Sequence, residues 1–261
     1  MRGLFMLKFN KVVGILLAAI LMVNTSVVGF ADIDTGTKET PQVVDVENER
    51  MNEQKERAVP RSTRATYYST NVTVYPQITG YYCGPATAYS LLRNWNVSVP
   101  STTKTLSFFE GCPNNCPYPS VAHVCVQSYT SPQITLADSM GVGYSGADFI
   151  MLRNEINERL PSNYYSYTTI TSDSALSHAL ITTLDSDHTL IGWVNASDLD
   201  RYAGSGFGGH YVNFYSYNTT TGKVGIADPN YMATYGGKYT EDLTTLREAM
   251  YRSNGVVNLL W

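Results

Sequence analysis

Charge is scarce in this 261-residue chain: Asp, Glu, Lys and Arg make up 15% of it, against about a quarter in an ordinary soluble domain. From Ala65 onward the balance is nine basic to fourteen acidic side chains. Such a surface cannot neutralise a phosphate backbone, which excludes nucleic acid as a partner. Cysteine and histidine are rare, four of each, so thiol, imidazole and metal chemistry have few combinations to draw on. After residue 28 no stretch is apolar enough to cross a membrane. There is no Gly-x4-Gly-Lys-Ser/Thr run, which excludes a P-loop ATPase. Internal repeats and sustained heptads are also missing, so solenoid and coiled-coil architectures fall away.

What is present divides the chain in three. Arg2, Lys8 and Lys11 precede an almost wholly apolar run from Val12 to Val28, and Gly29-Phe30-Ala31 follows with small residues. This is the pattern of a secretory signal peptide over residues 1–31, and it implies a secreted or cell-surface protein. Residues 32–65 form a second region. From Asp32 to Arg64 fourteen of 33 residues are charged and none is aromatic. Too little apolar surface is available there to offset chain entropy. The expectation is a charged disordered linker or a pro-segment, with a solvated helix from Glu47 to Arg57 as the form a pro-peptide across a cleft would take. Residues 66–261, which hold all 20 tyrosines, have the length of one domain with its own core.

Within that domain, Thr, Val and Tyr alternate from Tyr67 to Tyr75, as in a strand. Ala88, Leu91, Leu92 and Trp95 recur at helical spacing after Gly84-Pro85, and proline suits a first helical position. Helices are predicted over 147–160 and from Asp173 or Ser174 to Thr183, with strands over 164–170 and 189–194. Ser101 to Pro132 reads as irregular. His210–Tyr217 and Lys223–Asp228 flank Asn218-Thr-Thr-Thr-Gly222 as a hairpin. Helices early and antiparallel strands late predict an α+β fold.

Cys83 therefore stands at or just before a helix N-terminus, where unpaired N–H groups and a partial positive charge favour the thiolate. A nucleophile needs a base. Of the four histidines, His178 falls mid-helix among polar residues, His188 in an Asp-Ser-Asp-His turn, and His123 in a cysteine-rich loop. His210 opens a strand directly after Gly204-Ser-Gly-Phe-Gly-Gly209, where small residues admit a substrate backbone. If residue 217 faces 223, then 212 faces 228, and His210 and Asp228 become diagonal neighbours on one face. A slip of one residue would separate them. Gln77, six residues before Cys83, can add a side-chain N–H to the Cys83 backbone N–H as an oxyanion donor.

These blocks, Gln77…Tyr-Tyr-Cys83-Gly-Pro-Ala, Gly-Gly-His210-Tyr-Val and Gly-Ile-Ala-Asp228-Pro, resemble the papain-like cysteine peptidases of the double-glycine-leader (bacteriocin-processing) group. The closer likeness is to their secreted stand-alone relatives, over roughly residues 66–235. The resemblance implies a papain-like fold, with the cysteine on an N-terminal helical part and His and Asp on a C-terminal antiparallel sheet. It implies Cys83 as nucleophile, His210 as base and acid, Asp228 as its orienter and Gln77 in the oxyanion hole. The expected partner is a peptide or protein substrate, with no cofactor and no metal. The tyrosine-rich surface also suits cell-wall contact, and membrane contact would come only through an uncleaved signal segment. An acyl-transferring transpeptidase on the same site and a catalytically silent binding module are the alternatives. Among Cys112, Cys116 and Cys125, a local bridge from Cys112 to one of the other two suits an oxidising compartment. A Cys3His zinc site with His123 is the competing arrangement.

Overall fold

Asn218 and Gly222 organise the centre of the molecule. In the computed structural model the Asn218 side-chain oxygen accepts the backbone N–H groups of Thr220 and Thr221, at 2.9 and 3.1 Å. Gly222 has φ +67°, a conformation that favours glycine. The turn joins β6 (Gly209–Asn218) to β7 (Lys223–Asp228), the hairpin expected from sequence. The structure describes residues 45–58, 66–108, 125–251 and 258–261. The expectations for the signal segment and for Cys112, Cys116 and His123 fall outside these residues, as does the side chain of Cys125.

Around the hairpin a sheet runs in the order β4-β9-β5-β6-β7-β8, with β1 (Tyr67–Ser69) pairing the far end of β6. Here β4 is Tyr167–Thr168, β5 Leu190–Asn195, β8 Gly237–Asp242 and β9 Leu259–Leu260. All pairings are antiparallel. β5 is buried along its whole length because both faces of the sheet are covered. Its alternating side chains feed two cores. Leu190 and Val194, with Val212 and Phe214 of β6, pack under α5 (Asp173–Leu184) and α6 (Leu243–Met250). Ile191, Trp193 and Tyr211 pack under α2 (Cys83–Asn94) and α4 (Phe149–Arg159). The fold is α+β, as the sequence predicts.

The region from Ser101 to Pro132 is more regular than its composition suggests. β2 (Thr102–Phe108) and β3 (Cys125–Ser131) form a two-stranded antiparallel ribbon, held partly by facing hydroxyl pairs such as Thr103 with Thr130 at 2.7 Å and Thr105 with Ser128 at 2.8 Å. Most of its exposed side chains are hydroxyls, so the hydrophobic alternation that marks a half-buried strand is weak. α3 (Pro132–Ser139) follows, capped by the Ser131 hydroxyl. In the N-terminal region α1 (Val46–Glu56) falls where a helix from Glu47 to Arg57 was the alternative to a disordered linker.

The hairpin register corrects the sequence estimate in an instructive way. Next to the turn, Tyr217 faces Val224 rather than Lys223, and Ser216 faces Gly225. A bulge then inserts Tyr215 as an extra residue, so that Phe214 faces Ile226 and Asn213 faces Ala227. The bulge restores, at the other end of the hairpin, the register that was wrongly assumed at the turn. Gly225 makes room for it. A Cβ there would lie 2.1 Å from the Ser216 hydroxyl and 2.9 Å from the Tyr215 ring.

Candidate active site

Cys83 is the first residue of α2, at the helix start that Gly84-Pro85 predicts. Its backbone N–H lies among the groups a helix cannot pair internally. α2 lies against β6, and this brings the Cys83 end of the helix to the His210 end of the strand. The approach is close: a Cβ on Gly84 would sit 2.5 Å from the Ala147 Cβ and 3.6 Å from the Tyr211 ring. Glycine at 84 thus lets the 141–147 loop and β6 crowd the helix start. The Tyr211 hydroxyl ties that loop down by donating to the Ala147 carbonyl at 3.0 Å.

His210 is buried, with Nε2 2.7 Å from Asp228 Oδ1. Cys83 lies on the other side of the ring, close enough to help raise the imidazole pKa. With Nε2 engaged by Asp228, Nδ1 is the nitrogen left for sulfur. Burial pulls the imidazole pKa down, but the Asp228 charge, the hydrogen bond to Asp228 and the nearby Cys83 carry it well above the ordinary histidine value.

Asp228 is fully buried and satisfied on both oxygens. Oδ1 takes His210 and the Asn230 backbone N–H, the latter at 2.8 Å. Oδ2 takes the hydroxyls of Tyr202 at 2.8 Å and Tyr239 at 3.1 Å. Burial alone would raise the carboxyl pKa. The His210 charge, its hydrogen bond, the Asn230 N–H and the Tyr202 hydroxyl reverse that and hold it below the usual range. Burial, then the neighbouring carboxylate, pushes both tyrosines upward, which keeps them protonated donors.

Gln77 is buried beside this group. Its backbone N–H donates to the Pro229 carbonyl at 2.7 Å, which places it next to Asp228 in space. Its side-chain Nε2 donates to the Thr79 carbonyl at 2.8 Å. Of the other histidines, His188 stacks on Trp95 with centroids 3.6 Å apart. His178, which its polar helical neighbours mark as exposed, is half-buried, with Nε2 3.2 Å from the Lys55 carbonyl. A cleft of about 250 Å³ opens beside the start of α2, with Tyr81, Leu106, Ser107, Val142 and Tyr144 among its walls.

Cys83, His210 and Asp228 thus meet although they are distant in sequence, and Gln77 lies against the same strand end. The two tyrosine donors to Asp228 were missed by sequence reasoning. Tyr202 sits on a 3-10 turn (Asp200–Tyr202) and Tyr239 on β8, and nothing in their local sequence distinguishes them among 20 tyrosines.

The model of the Peptidase_C39 like family matches residues 69–257. The chain belongs to that family. Helix-borne cysteine against sheet-borne histidine and aspartate is the papain-like arrangement expected of it. No curated protein matches the chain. Among solved structures, it is similar to a double glycine motif protease from an AMS/PCAT transporter, determined in complex with the leader peptide. That likeness has 12% identity and a TM-score of 0.42, and covers 76% of this chain and 93% of the other.

Proposed function

We propose that this chain is an exported cysteine peptidase in which Cys83 is the nucleophile, His210 the general base and acid, and Asp228 the residue that orients the imidazole. The observation that carries the reading is the buried His210–Asp228 pair at the strand end against which the Cys83 end of α2 packs. Sulfur attacks the scissile carbonyl carbon while its proton resides on His210. The tetrahedral oxyanion collapses to a thioester as His210 passes that proton to the leaving amine. Water, deprotonated by His210, then releases the acid and frees the thiol. The backbone N–H of Cys83 at the helix start and the Gln77 amide supply hydrogen bonds to the oxyanion. Asp228, held by four donors, keeps the ring in one orientation through both proton transfers.

The test is incubation with a peptide library, with cut bonds located by mass spectrometry. The wild type is expected to cleave and to react with iodoacetamide at mildly acidic pH, and Cys83→Ala to do neither. Peptide cleavage retained by Cys83→Ala would overturn the assignment. Export is checked on the same preparation by intact mass, which is expected to show residues 1–31 removed.

A further inference from the structure

The helix of the charged N-terminal segment, α1, is docked rather than solvated, and its contacts explain why its pattern does not announce the docking. α1 presents Asn48, Met51, Asn52 and Lys55 at i, i+3, i+4 and i+7, one face of a helix. Only Met51 on that face is apolar, so no amphipathic signal exists in the sequence. The face works by hydrogen bonding. Asn48 Nδ2 donates to the Tyr167 carbonyl at 2.9 Å, and its Oδ1 accepts the Tyr167 N–H at 2.7 Å. This is the exchange that a neighbouring strand would make with the edge strand β4. Asn52 donates to the same carbonyl at 2.9 Å.

One turn further on, Lys55 enters an aromatic cage. Its Nζ lies 4.6 Å from the Tyr164 ring centroid, 5.6 Å from Tyr165 and 5.5 Å from Trp261, and donates to the Trp261 carbonyl. His178 contacts the Lys55 carbonyl and stands edge-on to Trp261. Such a box of rings with one carbonyl is the chemistry that accepts an alkylammonium group.

We infer that the β4 edge together with the Tyr164–Tyr165–Trp261 cage is a recognition site for a lysine-bearing helix, and that its resident occupant is α1 of the same chain, read by Asn48 and Lys55. The site lies at the opposite edge from β8, with β9 and β5 between it and β6, roughly 14 Å at the spacing of paired strands. α1 bound there closes an unpaired sheet edge. It also contacts Trp261. This inference is independent of the peptidase mechanism.

The experiment uses the full chain. Lys55→Ala is expected to speed hydrogen exchange of the α1 amides and of Tyr167 while leaving β6 and β7 protected. A synthetic peptide of residues 44–58 added to that variant is expected to bind and restore protection at Tyr167. The same peptide with norleucine at position 55 is expected to bind about tenfold more weakly, the scale of one desolvated ring–cation contact. Equal binding of the norleucine peptide would overturn lysine reading. Unchanged exchange in Lys55→Ala, or failure of the wild-type peptide to restore protection at Tyr167, would overturn the site altogether.

Discussion

Two sites in this protein hold their ionisable side chains in different ways. At the β6–β7 end, Asp228 and His210 satisfy each other, and two tyrosines and a backbone amide fill the remaining capacity of the carboxylate. At the β4 edge, Lys55 has rings and a carbonyl around it. The first arrangement is rigid and costly to break, because deleting one partner strands the other in a dry site. The second is reversible, because a released lysine is well solvated and its rings lose little. A group that must keep one orientation through proton transfer belongs in the first kind of setting, and a detachable contact belongs in the second.

The difference can be broken most severely at Asp228. Asp228→Ala is expected to lower stability by about 3–5 kcal/mol, the cost of uncoupling a buried pair. Turnover should fall by about 10²–10⁴-fold. Denaturant titration and peptide cleavage measure the two losses. If stability and activity were both little changed, the pair would not organise the site. Gly225→Val comes next. The side chain would collide with Ser216 and Tyr215, costing about 1–3 kcal/mol, and relief by register shift would turn His210 away from Asp228. The signature is an activity loss larger than the fraction unfolded explains.

Tyr202→Phe should cost about 1.5–3 kcal/mol for one hydrogen bond to a charged group, with a smaller loss of turnover because Tyr239 and Asn230 remain. The smallest effect is expected from Lys55→Met, about 1 kcal/mol or less in global stability, with cleavage unchanged. A large loss of cleavage in that variant would join the two regions and dissolve the contrast.

Acidity sharpens the same comparison. His210 has a raised folded-state pKa, so its contribution is complete below the free histidine value of 6.5 and fades as pH rises through the folded value. Asp228 has a lowered one, so its contribution is present above 3.8 and is lost as pH falls through the folded value. Denaturant titration at a series of pH values should show stability greatest between these limits and falling on either side; a flat profile would mean that His210 and Asp228 are not coupled in the folded state.

Local chemistry made much of the site legible. The Gly-Pro after Cys83 announced a helix start, and the turn residues 218–222 announced the hairpin that pairs His210 with Asp228. The assumed pairing of 217 with 223 was off by one residue, and the bulge at Tyr215 compensated for it. A bulge depends on what crowds the strand from outside, here β1 beside residues 216–218, so the turn residues alone do not encode it. The tyrosines on Asp228 were hidden for a similar reason: a hydroxyl becomes a carboxylate donor only when a distant loop delivers it.

By itself the sequence determined the α+β class, the hairpin, the helix behind Cys83 and the residues able to do thiol chemistry. Each of these follows from periodicities and turn preferences that act over a few residues. Only the tertiary structure decided the order of the β2–β3 ribbon, the docking of α1, the depth of Asp228 and the register at His210. These depend on polar contacts between segments tens to more than a hundred residues apart. A polar side chain carries no pattern in sequence that says whether it will meet water or a buried partner.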